Sequence, residues 1–227
     1  MSKFLCFLLL LMTLLSSSQV IDYLNPQFKG KVKSAHYIIY FDAGKSDFAE
    51  PYDGEIVKEY QYSFDKEGHL EAILEIQNVG DCPFILEFDN GKIKAFVQNL
   101  WNGNFLQKGE ISWNDNSYQI TSFDIFKNTT KQKFVLDTKS EIQEATIETY
   151  TDSKLSKQEH LKVVRQESVV KKILSSKSYP NAKTVENCEI EFSDLQFDST
   201  GNLIAYRTKD SCSLTYEKHK INIVYWQ

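Results

Sequence analysis

Glycine and proline are scarce in this chain, which has 9 glycines and 4 prolines among 227 residues. So little of either excludes a collagen-like or a Gly/Pro-rich low-complexity protein. No apolar run beyond the first 15 residues is long enough to cross a membrane as a helix, which takes about 20 residues. Aromatic residues make up 13% of the chain. The chain can therefore bury a sizeable core and is not intrinsically disordered.

Signatures of catalysis are also missing. The chain has no His-Glu-x-x-His, Gly-x-Ser-x-Gly, P-loop or Gly-x-Gly-x-x-Gly motif. Its four histidines lie apart from one another and from the cysteines, without the spacing of metal ligands. We predict no metal and no cofactor, and we favour a non-enzymatic protein. A secreted hydrolase stays open as the alternative, because the fold can assemble a carboxylate pair from residues far apart in sequence.

The first 18 residues have the pattern of a secretory signal peptide. Lys3 supplies a basic start, the segment Phe4–Leu15 is almost wholly apolar, and Ser16 and Ser18 suit a cleavage site before Gln19. The alternative is a single-span anchor, but this apolar run covers about a dozen residues where a span needs about 20. We expect a secreted or periplasmic protein with no transmembrane anchor.

The charge of the mature chain limits the classes of partner that it can bind. Cleavage would remove one lysine and no acid, leaving 25 basic against 31 acidic residues, a formal charge of −6 (26 − 1 − 31). A nucleic acid or an anionic membrane rewards a basic face. We therefore expect no nucleic-acid partner.

One short motif recurs along the chain: an aromatic residue, an acidic residue, a few small or polar residues with a glycine, and an aliphatic residue. The clear copies are Phe64–Leu70, Phe88–Ile93 and Phe197–Leu203. Each is typical of a β-hairpin, because glycine adopts the positive φ of a tight turn. A two-residue loop at Asn90-Gly91 would place Phe88 opposite Ile93. Weaker copies follow Trp113 and Tyr150.

This motif resembles the hairpin repeats of the YD/Rhs or MORN-variant kind, found in bacterial secreted and surface proteins. The resemblance covers the three clear copies and implies an antiparallel sheet, with no functional residue carried over. We predict an all-β fold, an antiparallel meander of hairpins forming an extended twisted sheet. A lead-in at residues 19–34 would precede a single domain at 35–227, with strands from Ala35–Phe41 to His219–Tyr225.

Residues 167–176 depart from the strand pattern. Val169, Val170, Ile173 and Leu174 would share one face of a helix, so at most one short helix is expected there. Valine and isoleucine also favour strands. Both interpretations stay open, with the helix slightly favoured.

Three cysteines remain after removal of Cys6. Paired positions across the turn at residues 199–201 sum to 400, as Phe197 and Leu203 do, and so do Cys188 and Cys212. We predict a Cys188–Cys212 disulfide between opposed strands. A bulge at Asp194 would shift that register by one residue. We interpret Cys82 as a small, buried apolar residue.

The candidate ligand-binding residues are Trp101, Asn102, Asn104 and Phe105. They share a turn that carries two aromatic rings beside two amides, a combination that suits a sugar or a protein surface. Core packing is the competing explanation, and it is favoured for all three tryptophans, more clearly for Trp113 and Trp226 than for Trp101. The sequence thus predicts a β-sheet protein that binds an unknown protein or glycan through a sheet face or edge.

Overall fold

The computed structural model describes residues 28–41, 55–78, 80–166 and 169–227, together with Leu24 and Pro26. These residues form fourteen strands: β1 (Val32–Phe41), β2 (Ile56–Phe64), β3 (Leu70–Glu75), β4 (Cys82–Asp89), β5 (Lys92–Asn99), β6 (Phe105–Asn114), β7 (Ser117–Asp124), β8 (Thr129–Leu136), β9 (Ile142–Thr151), β10 (Lys154–Gln166), β11 (Val169–Tyr179), β12 (Thr184–Phe197), β13 (Leu203–Asp210) and β14 (Tyr216–Tyr225). The described part of the chain holds no helix that could cross a bilayer. The expected signal peptide lies outside the described residues.

The strands form a closed antiparallel barrel, so the predicted extended open sheet is wrong. Each strand pairs with the next along the chain, and β1 pairs with β14, with Tyr37 opposite Ile221. Hairpin motifs specify which strands are neighbours, but they carry no information on whether the first and last strands meet. Closure gives the outer strands of a meander partners for their backbone groups.

The predicted helix at 167–176 is also wrong. Residues 169–176 belong to β11, where Ile173 and Ser175 are buried and Leu174 is exposed. This two-residue alternation is that of a strand with one face toward a core. The β-branched side chains at the start of the segment fit a strand equally well, and pairing with β10 and β12 decided the outcome.

An apolar core lies inside the barrel, beside buried polar side chains such as Glu159 and Lys177. Directly paired residues share a face of the sheet, and one cluster of buried side chains draws on every strand except β13. β13 adds the buried Tyr206. Within the core Tyr118 stacks between Trp113 and Phe134, with ring centroids 4.6 and 4.7 Å away.

The three predicted hairpin turns are confirmed. Phe88 pairs with Ile93, and the corresponding aromatic and leucine pair in the other two copies. The register beyond the Asn90-Gly91 turn differs from simple counting, because a bulge shifts it by one and places Leu86 opposite Phe96. The first strand is longer than predicted, because β1 begins at Val32 and includes the end of the predicted lead-in.

The predicted disulfide is confirmed, with Cys188 bonded to Cys212 across a Cα–Cα distance of 5.4 Å. Asp194 does form an irregularity, with a φ of 51°. Two register shifts flank Gln196 and cancel, so Ser193 faces Arg207 and positions 188 and 212 remain level. Cys82 is a free, fully buried cysteine, as expected.

Candidate functional site

The outer wall of the barrel is polar at mid-height. One row of paired residues crosses five strands there: Ala95, Glu110, Thr121, Lys131 and Glu148. Charged side chains of both signs therefore face outward, while the apolar side chains of the same strands face the core. Against this background a group of exposed apolar residues is conspicuous.

That group lies at one end of the barrel and consists of six large apolar side chains that are 37 to 64% exposed. We call it the rim patch: Ile85, Trp101, Phe105, Phe123, Ile125 and Phe126. Its members come from β4, from the start of β6, from the end of β7 and from two turns, residues 100–104 and 125–128. Clustered exposure of this kind marks interaction surfaces on soluble proteins.

Backbone pairing places the members of the rim patch on neighbouring strands, with Lys108 among them. Ile125 N–H donates to the carbonyl of Leu106, next to Phe105, at 3.0 Å. Lys108 pairs with Phe123 on one side and with Val97 on the other, and Val97 in turn pairs with Ile85. The exposed apolar side chains thus follow neighbouring strands around the rim.

The turn that carries Trp101 is held by its own backbone. Leu100 N–H donates to the carbonyl of Asn104 at 2.7 Å, and Gly103 N–H donates back to Leu100 at 2.9 Å. Asn104 N–H is bound by the side-chain oxygen of Asn102 at 3.0 Å. These bonds fix the direction in which the turn projects, so Trp101 sits on a defined support.

Trp101 also rests on the adjacent β3–β4 connection. A Cβ atom on Gly80 would lie only 2.7 Å from the Cβ of Trp101. Burial raises the pKa of the Cys82 thiol, and the nearby Glu75 carboxylate adds to this, while a hydrogen bond from the Trp101 N–H opposes it. The thiol beneath Trp101 is therefore a packing group rather than a nucleophile.

The second turn of the rim patch is organised by Asp124. Its Oδ1 accepts the N–H groups of Phe126 and Asn128, each at 2.9 Å, and its Oδ2 accepts the Asn128 amide at the same distance. Lys127 takes the positive φ of 63° that completes the turn. A turn this well satisfied nevertheless leaves Ile125 42% and Phe126 64% exposed.

All four predicted ligand-binding residues are exposed on the turn or at the start of β6. Trp113 packs against the core and donates its indole N–H to the carbonyl of Ile93 at 2.7 Å, so its packing role is confirmed. Sequence reasoning missed Ile85, Phe123, Ile125 and Phe126. The sequence Phe123-Asp124-Ile125-Phe126 could have indicated three of them, because an aspartate that begins a turn leaves the apolar residues after it in the turn.

The carboxylates of the barrel interior are engaged in hydrogen bonds and ion pairs. Glu159 is buried, 2.9 Å from Lys157 Nζ and 2.8 Å from Ser175 Oγ. Glu75 points inward and accepts a hydrogen bond from Gln98 Nε2 at 2.5 Å. A glycosidase acid needs a raised pKa, and the aspartates of three hairpin turns, Asp65, Asp137 and Asp198, have lowered pKa values, because backbone and side-chain hydrogen bonds stabilise their charged forms.

A buried aromatic network lies elsewhere in the interior. Tyr37 is hydrogen-bonded to Tyr206 at 2.9 Å and to His219 Nδ1 at 2.7 Å, and His219 stacks on Tyr206 with centroids 4.2 Å apart. Burial lowers the pKa of His219, an effect that hydrogen bonding to Glu217 opposes. Since all three rings are buried, we assign this network to stability.

Comparison with known proteins bears on the fold alone. No family model and no curated protein matches the chain, so the resemblance to YD/Rhs or MORN-variant repeats stays a prediction. A porin-like protein from Bacteroides uniformis is similar with a TM-score of 0.50 and 8% identity, over 87% of this chain and 99% of that one. A porin-like protein from Bacteroides vulgatus gives a TM-score of 0.49 and 9% identity, over 82% of this chain and 97% of that one.

Proposed function

We propose that this chain is an exported, non-enzymatic β-barrel protein that binds a protein partner through the rim patch. The observation that carries the proposal is the pair of rigid turns, which hold Trp101 and Phe126 in solvent at 59% and 64% exposure. Exposing such side chains costs hydration free energy, and the turns are ordered without burying them. An interaction surface accounts for both facts.

A protein partner fits the composition of the rim patch better than a sugar does. Three phenylalanines, a tryptophan and two isoleucines resemble the apolar, aromatic centre of a protein interface. Lys108, which lies between Phe123 and Val97, and Lys127, which follows Phe126, are both exposed. A partner with apolar side chains and acidic groups opposite these two lysines would be complementary. A sheet edge is not the docking mode, because the described strands close on themselves.

We place the barrel in water rather than in lipid. A transmembrane barrel presents an apolar band about 25 Å tall to the lipid and a polar interior. Here Glu110 and Lys131 face outward at mid-height, where that apolar band would lie. N-terminal sequencing of the exported protein tests the first part of the proposal. We expect a start at or near Gln19, and retention of Lys3 would contradict cleavage.

The binding proposal is tested with the mature protein recovered from the cells that make it. Native mass spectrometry should show a stoichiometric complex with one protein. That protein, identified, produced separately and titrated by calorimetry, should bind the purified chain. A Trp101→Ser, Phe126→Ser double variant should lose the complex, and a Lys131→Ser, Gln119→Ser variant on the outer wall should keep it.

Glycan binding is the second candidate, favoured by the two amides of Asn102 and Asn104 beside the Trp101 ring. A glycan array probed with the mature chain distinguishes glycan binding from protein binding. Binding that depends on Trp101 and Asn104, with no protein complex, would contradict the protein partner and support the glycan.

A further inference from the structure

The opposite end of the barrel holds a cavity of about 210 Å³. It lies between the segment that precedes β1 and the turns at residues 65–69 and 90–91. Its lining combines polar groups with six large apolar side chains, four of them buried: Leu24, Phe28, Val32, Phe64, Ile93 and Trp113. Dry apolar cavities of about 150 Å³ admit a molecule of the size of benzene, so this space is sufficient for a small aromatic ring.

The polar groups of the cavity are at its mouth. Lys92 and His69 both line it, on either side of Gly91. The Lys92 ammonium is 5.0 Å from the centroid of the Trp113 ring, and the His69 ring lies 3.8 Å from where a Cβ of Gly91 would be. His69 Nδ1 is hydrogen-bonded to Asp65 Oδ2 at 2.9 Å, which orients the ring.

One polar group of the wall, the Trp113 indole N–H, is not free to bind a ligand. It is already bonded to the carbonyl of Ile93, so the Trp113 ring presents its apolar surface to the cavity. A ligand that satisfies both regions has an apolar body for the walls and an anionic group for Lys92. We propose that this cavity binds a small carboxylate with an aromatic or branched apolar tail.

This site does not depend on the proposed function, since it lies at the other end of the barrel from the rim patch. Isothermal titration calorimetry of the mature chain with phenylacetate tests it, with phenylacetamide as the neutral control. For a ligand of about ten heavy atoms we expect a Kd on the order of 1 mM or below. Phenylacetamide should bind about three- to fivefold more weakly, the size expected for one exposed ion pair.

Two variants of cavity residues and one control variant test whether the ligand binds in this cavity. Lys92→Gln should bring phenylacetate down to the affinity of phenylacetamide, whereas Lys94→Gln, an exposed lysine two residues away, should leave both unchanged. Leu70→Trp, which adds bulk to the cavity wall, should abolish binding of both compounds. If Leu70→Trp does not fold, as judged by circular dichroism, the two lysine variants decide. No binding of either compound, or equal loss in Lys92→Gln and Lys94→Gln, would overturn the proposal.

Discussion

Trp101 lies directly over Gly80, so closely that a Cβ on Gly80 would come within 2.7 Å of the Trp101 Cβ. Gly80 also has a φ of +132°, a conformation that other residues rarely adopt. The missing side chain leaves room for the β5–β6 turn to fold back over the β3–β4 connection. The position of the most prominent ring in the rim patch thus depends on a glycine from another hairpin.

We expect Gly80→Ala to move Trp101. The matched control is Gly68→Ala, since Gly68 lies in the β2–β3 turn and has a positive φ of +93° but no atom within 4 Å of the added Cβ. Both substitutions strain the backbone, by about 1 kcal/mol or more. Only Gly80→Ala should shift the Trp101 indole resonance in a ¹H–¹⁵N spectrum. Equal shifts in the two variants would show that the contact does not position the ring.

Gly91→Val should destabilise the β4–β5 hairpin. Gly91 has a φ of +75°, and a β-branched residue in that region costs on the order of 1 to 2 kcal/mol. Gly91→Asn is the control, because asparagine tolerates left-handed backbone. Urea unfolding should show a lower free energy of unfolding for the valine variant and a smaller loss for asparagine. Equal stability of the wild type and Gly91→Val would count against this turn.

Removal of the disulfide should lower stability. A bridge over 24 residues limits the unfolded chain and contributes about 3 kcal/mol in the loop-entropy account. We expect the double variant Cys188→Ala, Cys212→Ala to lower the free energy of unfolding by about that amount. Cys82→Ala is the control, because it removes a buried cysteine and leaves the disulfide in place. Peptide mapping without reduction should give a linked 188–212 peptide. A bridge from Cys82 to either cysteine would refute the pairing.

His219 should make stability fall in mild acid. Burial lowers its pKa in the folded protein, while the unfolded chain binds a proton near pH 6.5. The unfolded state therefore holds more protons below that pH, so stability is complete above it and declines as pH falls toward the folded pKa. Unfolding free energies at pH 7.5 and 5.5 should differ less in His219→Gln than in the wild type. His160→Asn, an exposed outer-wall variant, should not change that difference; an unchanged difference in His219→Gln would contradict the assignment.

Local features of the fold were readable from sequence, and long-range ones were not. The Asn90-Gly91 turn and the Cys188–Cys212 pairing follow from turn chemistry and counting over a few residues. Barrel closure depends on β1 and β14, which lie far apart along the chain, and no local motif encodes their pairing. The bulge between Glu87 and Phe88 likewise depends on packing against neighbouring strands.

Of the six rim-patch residues, the sequence predicted only Trp101 and Phe105. Trp101 lies beside an Asn-Gly turn, and a turn is normally exposed. Phe123 could not be assigned to the surface in this way, because the sequence does not show which face of β7 meets the interior. Only the register with β6 and β8 shows that Phe123 faces outward.

The central claim is that the rim patch binds a protein partner, and the most direct test is the dissociation constant of the purified complex. We predict that Trp101→Ser and Phe126→Ser each raise Kd about tenfold or more, as residues at the centre of an interface do. Lys131→Ser, on the polar outer wall, should leave Kd within about twofold, as most surface substitutions do. An unchanged Kd in both rim-patch variants, with both proteins folded, would contradict the account.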